Sequence, residues 1–131
     1  MRTIYVAGPM SAPTGNGRLR NSEHGMDVGY ALMQLGWAPH IPHVMELFTR
    51  YIEGEGYNNL IGNYEFWMAL DFEWIRRCDA FFYMSTSPGA DRELELAKSL
   101  GKVIYYYLSD VPDMMGGMDY GLSNVQSEAG V

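Results

Sequence analysis

Sixteen acidic residues stand in a chain of 131, and two of them occupy positions where a carboxylate is out of place. The segment Asp91–Leu100 reads as a helix closed by Gly101. Under the 3.6-residue period, positions 93, 96, 97 and 100 share a face. They are Glu93, Leu96, Ala97 and Leu100, so Glu93 points with the packed side chains. Glu95 falls on the opposite face with Arg92, Lys98, Ser99 and Lys102 and reads as solvated charge. A carboxylate on a core-facing stripe is costly to desolvate unless something compensates it. On this reading Glu93 lies in the first turn, where free N–H groups and the helix dipole favour an anion. A carboxylate held dry and ionised is a competent nucleophile. The segment Tyr64–Arg77 repeats the anomaly. Trp67, Leu70, Asp71, Trp74 and Cys78 fall on one face, and Asp71 is the polar intruder. Glu73 lies off that face and can pair with Arg77 four residues on. Taken singly, each acid has an ordinary explanation, as a dipole-compatible or backbone-bonding residue. Taken together, two inward carboxylates suit glycoside cleavage, where one group attacks the sugar carbon and another handles the proton.

The elements that must position these acids follow from the pattern. Thr3–Ala7 is a near-continuous β-branched and aromatic run, as expected for a strand buried on both faces. Gly8 and Pro9 end it, and Ser11–Arg20 reads as a loop. A helix is expected from Asn21 or Ser22 to Leu35, with Met26, Tyr30, Met33 and Trp37 as its apolar stripe and Gly36 as its stop. Trp37–Ile41 is a weaker strand, Val44–Ile52 a helix, and Glu53–Asn63 a loop able to cover a pocket. Asp79–Met84 and Val103–Leu108 are further strands. Ser85–Ala90 is a turn, and a short strand is expected near Leu122–Val125. Strands alternating with helices predict a single flavodoxin-like or Rossmann-like α/β domain over 1–131, with a mostly parallel sheet of 4–5 strands and helices on both faces. Ligands of such sheets bind beyond the carboxyl ends of the strands. That rule singles out the loops Gly8–Arg20 and Ser85–Asp91.

Composition narrows the partners. Hydrophobic residues make up 47% of the chain and aromatics 14%, enough for a genuine core. A net charge of −7 argues against a nucleic-acid polymer or an anionic membrane surface, but a single small anion needs only a local positive site. No stretch approaches a membrane span. The opening MRTIYVAG is too short for a signal peptide, and the lone Cys78 permits no internal disulfide. A cytoplasmic protein is the expectation.

The residues that carry these features resemble the nucleoside 2-deoxyribosyltransferase family, including its nucleoside 5′-monophosphate N-glycosidase branch. The opening IYVAGPMS is similar to the family's first strand and sugar-binding loop. DFEWIRRCDAFFYM, from Asp71 to Met84, is similar to its helix with an active-site aspartate and the following strand. SPGADRELELAKSLGKVI, from Ser87 to Ile104, is similar to its turn, nucleophile helix and fourth strand. GLSNV, from Gly121 to Val125, is similar to the segment that reaches a neighbouring subunit. The resemblance implies Glu93 as the nucleophile on C1′, with Asp71 protonating or positioning the base and holding Glu93. It implies that Tyr5 hydrogen-bonds near Glu93 and that Gly8 lets the sugar or base approach the backbone. It places Ser11, Ser87 and Gly89 at the substrate, and Asn124 at the 5′ end of a substrate in the neighbouring subunit, in a homodimer or higher homo-oligomer. The transferase branch tends to carry an acid where Ser87 stands, and the monophosphate branch a serine. A hydroxyl and free N–H groups at a helix start suit phosphate, and Arg18 and Arg20 add positive charge. Pro9 stands where that branch has a phosphate-contacting serine, with Ser11 nearby.

Other groups carry less. His40, His43 and Glu46 straddle Pro42 and do not form the convergent set a zinc site needs, so neither a metal nor a cofactor is expected. Gly15-Asn16-Gly17 lacks the dinucleotide spacing. Cys78 reads as packing. Met10 and Trp67 are candidates to stack on a base. The expected activity is cleavage of a (2-deoxy)nucleoside or 5′-monophosphate through a glycosyl–Glu93 intermediate, passed to a second base or to water. Rival readings are a non-catalytic nucleotide-binding module on the same fold and a structural oligomer.

Overall fold

The computed structural model describes residues 1–56 and 63–115. Four strands form one all-parallel sheet in the order β2-β1-β3-β4. They are β1 (Thr3–Ala7), β2 (Ala38–His40), β3 (Ala80–Tyr83) and β4 (Val103–Tyr105). The helices are α1 (Gly15–Gln34), α2 (Met45–Gly54), α3 (Tyr64–Arg77) and α4 (Pro88–Ser99). This is the Rossmann-like α/β architecture, with the flavodoxin-like strand order. Among the described residues no helix is long and apolar enough to cross a membrane. The expected strand near Leu122–Val125 lies outside the described residues, as does most of the expected loop Glu53–Asn63.

Strand β1 is central and its alternation divides the core. Ile4 and Val6 pack with Leu32 of α1, Trp37, Ala80 and Phe82 on one face. Tyr5 and Ala7 pack with Ile75 of α3, Phe81, and Ala90 and Ala97 of α4 on the other. Both faces are covered, so β1 carries no polar alternation, as its sequence predicts. The edge strand β2 tolerates Pro39 because, among the described residues, one of its sides has no neighbour to bond.

Several boundaries differ from the sequence reading. Helix α1 starts at Gly15, inside the expected loop, because the Thr14 hydroxyl caps it by accepting from the Gly17 N–H at 3.0 Å. Arg18 and Arg20 are therefore helical. Its inward stripe is also rotated. Ser22, Gly25, Gly29 and Leu32 are buried, whereas Met26, Tyr30 and Met33 are exposed. The two glycines decide this: a Cβ at Gly25 would overlap His43, and one at Gly29 would overlap Ile41. With no side chain there, the helix backbone docks closely and the bulkier stripe turns outward. Gly36 and Gly101 end α1 and α4 at φ of +86° and +70°, left-handed values that favour glycine. Strand β4 stops at Tyr105 rather than running to Leu108, since it pairs only with Ala80–Phe82 of β3.

Candidate functional site

The C-terminal ends of β1 and β3 lie side by side, in register from Ile4↔Ala80 to Ala7↔Tyr83. This is where the strand order reverses, the place at which such sheets form a ligand crevice. Two loops rise from it: residues 8–14 after β1, and residues 84–87 after β3.

On the α3/α4 face of the sheet stand Tyr5, Glu93 and Asp71. Tyr5 is mid-strand in β1 and fully buried. Its hydroxyl donates to Glu93 Oε2 at 2.5 Å. Glu93 is only 5% exposed. Asp71, partly buried on α3, lies near enough to Glu93 and Tyr5 to influence their ionisation, while the hydrogen bond formed in the site is that of Tyr5 to Glu93. The three side chains come from a strand and two helices, separated by 66 residues or more along the chain between Tyr5 and either acid.

The electrostatics differ from the sequence expectation. Helix α4 starts at Pro88 rather than Asp91, because the Ser87 hydroxyl accepts from the Ala90 N–H at 3.0 Å and Pro88 fits the first helical position. Glu93 is thus the sixth helical residue and lies beyond the free N–H groups of the first turn. The helix start does not keep it ionised. Burial is the main influence and pushes its pKa up, the Asp71 charge adds to that, and the Tyr5 hydrogen bond opposes both. Burial also raises Asp71, against the opposing influence of Glu93 and Tyr5. Burial and the two carboxylates drive the Tyr5 phenol well above its ordinary range. Two adjoining carboxyl groups in a dry site cannot both ionise readily, so the pair retains a proton into the neutral range.

The stripe on α3 is rotated as well. Met68, Ile75 and the capping Cys78 are buried, whereas Leu70 and Trp74 are exposed. Asp71 borders this buried face, which is how it meets Glu93. Glu73 pairs with Arg76 at 2.7 Å and, more loosely, with Arg77 at 3.7 Å. Glu95 faces solvent and lies 3.7 Å from Lys98.

The substrate-side residues are placed unevenly. The space a side chain would take at Gly8 is filled by Met84, whose Sδ would lie 3.0 Å from a Cβ, so the close approach there is made by protein. Ser11 lies exposed in the β1–α1 loop, and Asn21 Nδ2 donates to its carbonyl at 3.2 Å. Ser87 spends its oxygen on the α4 cap. Pro88 has no N–H, that of Ala90 is used by the cap and that of Asp91 bonds the Ser87 carbonyl, which among the described residues leaves Gly89 as the free donor of that turn. Gly89 also faces the Tyr64 hydroxyl and Met68 at ordinary contact distances. Arg18 is paired with Glu46 at 3.3 Å, and Arg50 holds the same carboxylate at 3.1 Å. Trp67 lies edge-on to Phe66. Asn124 lies outside the described residues.

Sequence reasoning missed two groups near the site. His40 is opposite Tyr5 in the sheet and stacks on it, with ring centroids 5.6 Å apart. Trp74 covers the other side of His40 at 4.4 Å, and burial lowers the His40 pKa. The signal was available, since the β1–β2 pairing puts His40 beside Tyr5, but a lone histidine before Pro42 gave no register. The second group is Asp91, which accepts from Tyr83 at 2.7 Å and Thr86 at 2.8 Å and so fixes the loop after β3. Among the described residues no set of three or more His, Cys, Asp or Glu side chains is arranged to hold a metal. Compared with known proteins, the chain matches no family model and no curated sequence.

Proposed function

We propose that the chain cleaves the N-glycosidic bond of a 2-deoxynucleoside or its 5′-monophosphate through a covalent glycosyl–Glu93 intermediate. The observation that carries this reading is the buried Tyr5–Glu93 hydrogen bond with Asp71 beside it, on the α3/α4 face of the sheet. A buried carboxyl oriented by the Tyr5 hydroxyl and flanked by a second acid suits direct attack on the sugar carbon. The resemblance to the nucleoside 2-deoxyribosyltransferase family supplies the substrate class.

In the first step a Glu93 oxygen bonds to C1′ while the C1′–N bond breaks and its electron pair goes to the base. Burial favours the proton on Glu93 in the resting site, so attack requires that it first move to Asp71, which leaves Glu93 ionised; from Asp71 it passes to the departing base nitrogen. Tyr5, donating to Glu93, favours the ionised nucleophile. In the second step water or another base attacks C1′, the ester bond to Glu93 breaks, and the displaced proton returns to Asp71. A sugar without a 2′-hydroxyl leaves room for the nucleophile beside C1′. Assembly into a homodimer or larger oligomer, with Asn124 completing a neighbouring site, belongs to the same reading.

The deciding experiment is incubation with a panel of 2-deoxynucleosides and their 5′-monophosphates, with and without an acceptor base. Base release is expected, and Glu93→Gln should lower it by on the order of 10³-fold or more with the fold intact. Binding without turnover in the wild type would leave a non-catalytic nucleotide-binding module. Unchanged turnover in Glu93→Gln would remove the covalent mechanism.

A further inference from the structure

Tyr5 holds Glu93 by a single hydrogen bond, so the place of its hydroxyl depends on what fixes its ring. The ring stands in a row of rings that crosses the sheet. Phe81 of β3 and His40 of β2 are its partners in register on the two sides. Both stack on it. Phe81 lies at 5.7 Å with 14° between ring planes, and His40 at 5.6 Å with 24°, within the usual range for packed rings. Among the described residues no other ring stacks on Tyr5. The two supports are unlike. Phe81 is fully buried, in a strand paired on both sides. His40 is only partly buried and ends the three-residue strand β2, so that Tyr5↔His40 is the last pair of its ladder. Trp74 of α3 closes the outer side of His40 at 4.4 Å and 17°, although the indole is itself exposed. Burial lowers the His40 pKa, so at neutral pH the imidazole stacks as a flat, uncharged ring. The ionisable groups that act on Glu93 are Tyr5 from β1 and Asp71 from α3.

We propose that His40 is a positioning residue of the Glu93 site: clamped by Trp74, it supports the Tyr5 ring from the β2 side, as Phe81 does from the β3 side, and so keeps the Tyr5 hydroxyl on Glu93. It acts through the face of its ring and not as an acid or a base. A leucine at this position fills much of the same space but offers no flat face, whereas a phenylalanine offers one. The single bond from Tyr5 is the influence that favours ionised Glu93 against burial and the Asp71 charge, so a ring that tilts away shifts that balance. The kinetic consequence rests on the proposed N-glycosidase reaction, while the effect on Glu93 does not.

The test is the titration of Glu93 in the full chain, followed by carbon NMR of glutamate side-chain carboxyls, with Glu93→Gln assigning the signal. Wild type is compared with Tyr5→Phe, His40→Leu and His40→Phe. Tyr5→Phe sets the scale, since it removes the hydrogen bond outright. His40→Leu should move the Glu93 midpoint up by about 0.5 pH or more, part of what one hydrogen bond to a charged group contributes, and His40→Phe should restore it. In the Tyr5→Phe background His40→Leu should add nothing further. Base release should follow: the rising limb of kcat/KM moves with the midpoint, and the rate at pH 7 falls by about three- to tenfold in His40→Leu. An unmoved midpoint, even with a lower melting temperature, would reduce His40 to ordinary packing and overturn the proposal. Failure of His40→Phe to restore the midpoint, or full additivity with Tyr5→Phe, would do the same. Should His40→Leu fail to fold, Trp74→Leu frees the outer side of His40 from an exposed position, and an unmoved midpoint there overturns the proposal. A raised midpoint in a protein that releases no base would leave the positioning role standing and remove the reaction.

Discussion

The ionisation of Glu93 beside Asp71 is where the chemistry of this site is set. Burial and mutual repulsion raise Glu93 while the Tyr5 hydroxyl lowers it, and these opposing influences can be separated by substitution. Tyr5→Phe removes the donor, so Glu93 ionises at higher pH. The rising limb of kcat/KM should move to higher pH, and the rate at pH 7 should fall by about 10- to 100-fold. Asp71→Asn removes the neighbouring charge, so the same limb should move to lower pH, with a lower plateau because the leaving base loses its proton donor. A pH–rate profile of the two variants checks both directions. Parallel shifts would mean that the limb belongs to another group.

At the scale of elements, α4 does two jobs from one end. Ser87 caps it and Pro88 opens it, and both stand just beyond the C-terminal end of β3. Replacing Ser87 by aspartate separates the jobs, because aspartate is an equally good cap but brings a negative charge to the helix start. Ser87→Asp should leave thermal stability within about 0.5 kcal/mol of wild type. It should raise KM for 5′-monophosphates by about tenfold and leave the nucleosides unchanged. Equal effects on both substrate types would take the phosphate away from Ser87. Helix α1 shows how small residues set the orientation of a whole element. Gly25 and Gly29 admit His43 and Ile41 and thereby turn Met26, Tyr30 and Met33 to the outside.

For the whole molecule, the buried acids tie stability to pH. Glu93 and Asp71 have folded pKa values above their ordinary 4.5 and 3.8. Below those ordinary values both states are protonated and the site costs nothing. As pH rises, the unfolded chain gives up protons that the folded one retains, so stability falls until the folded groups ionise. His43 acts in the opposite sense. Its pKa drops from 6.5 to about 4 on folding, so its contribution is lost as pH falls through that window. Above about pH 6.5 only the carboxyl effect operates. Melting temperature should decline from pH 6.5 to pH 8.5 in the wild type, and Glu93→Gln should flatten the decline and melt several degrees higher at pH 8.5. A thermal scan against pH checks this, and identical slopes would mean that the carboxyl pair ionises without penalty.

The sequence alone determined the α/β class, β1 at Thr3–Ala7, α3 at Tyr64–Arg77 and the glycine stops at Gly36 and Gly101, because periodicity and capping are local. It also singled out Glu93 and Asp71, since a charge among apolar neighbours is conspicuous in any frame. The Ser87-Pro88 cap was equally local but went unread, and with it the true start of α4. Only the tertiary structure decided the rest. Which face of α1 and α3 turns inward depends on what Gly25 and Gly29 meet in the segment after β2 and on the contact of Met68 with the start of α4. His40 and His43 gained meaning from strand register and from a notch in another helix. The state of Glu93 was the largest change. Its sequence position suggested an anion favoured by a helix start, whereas packing put it one turn deeper, dry and beside a second acid, where a proton is held rather than lost.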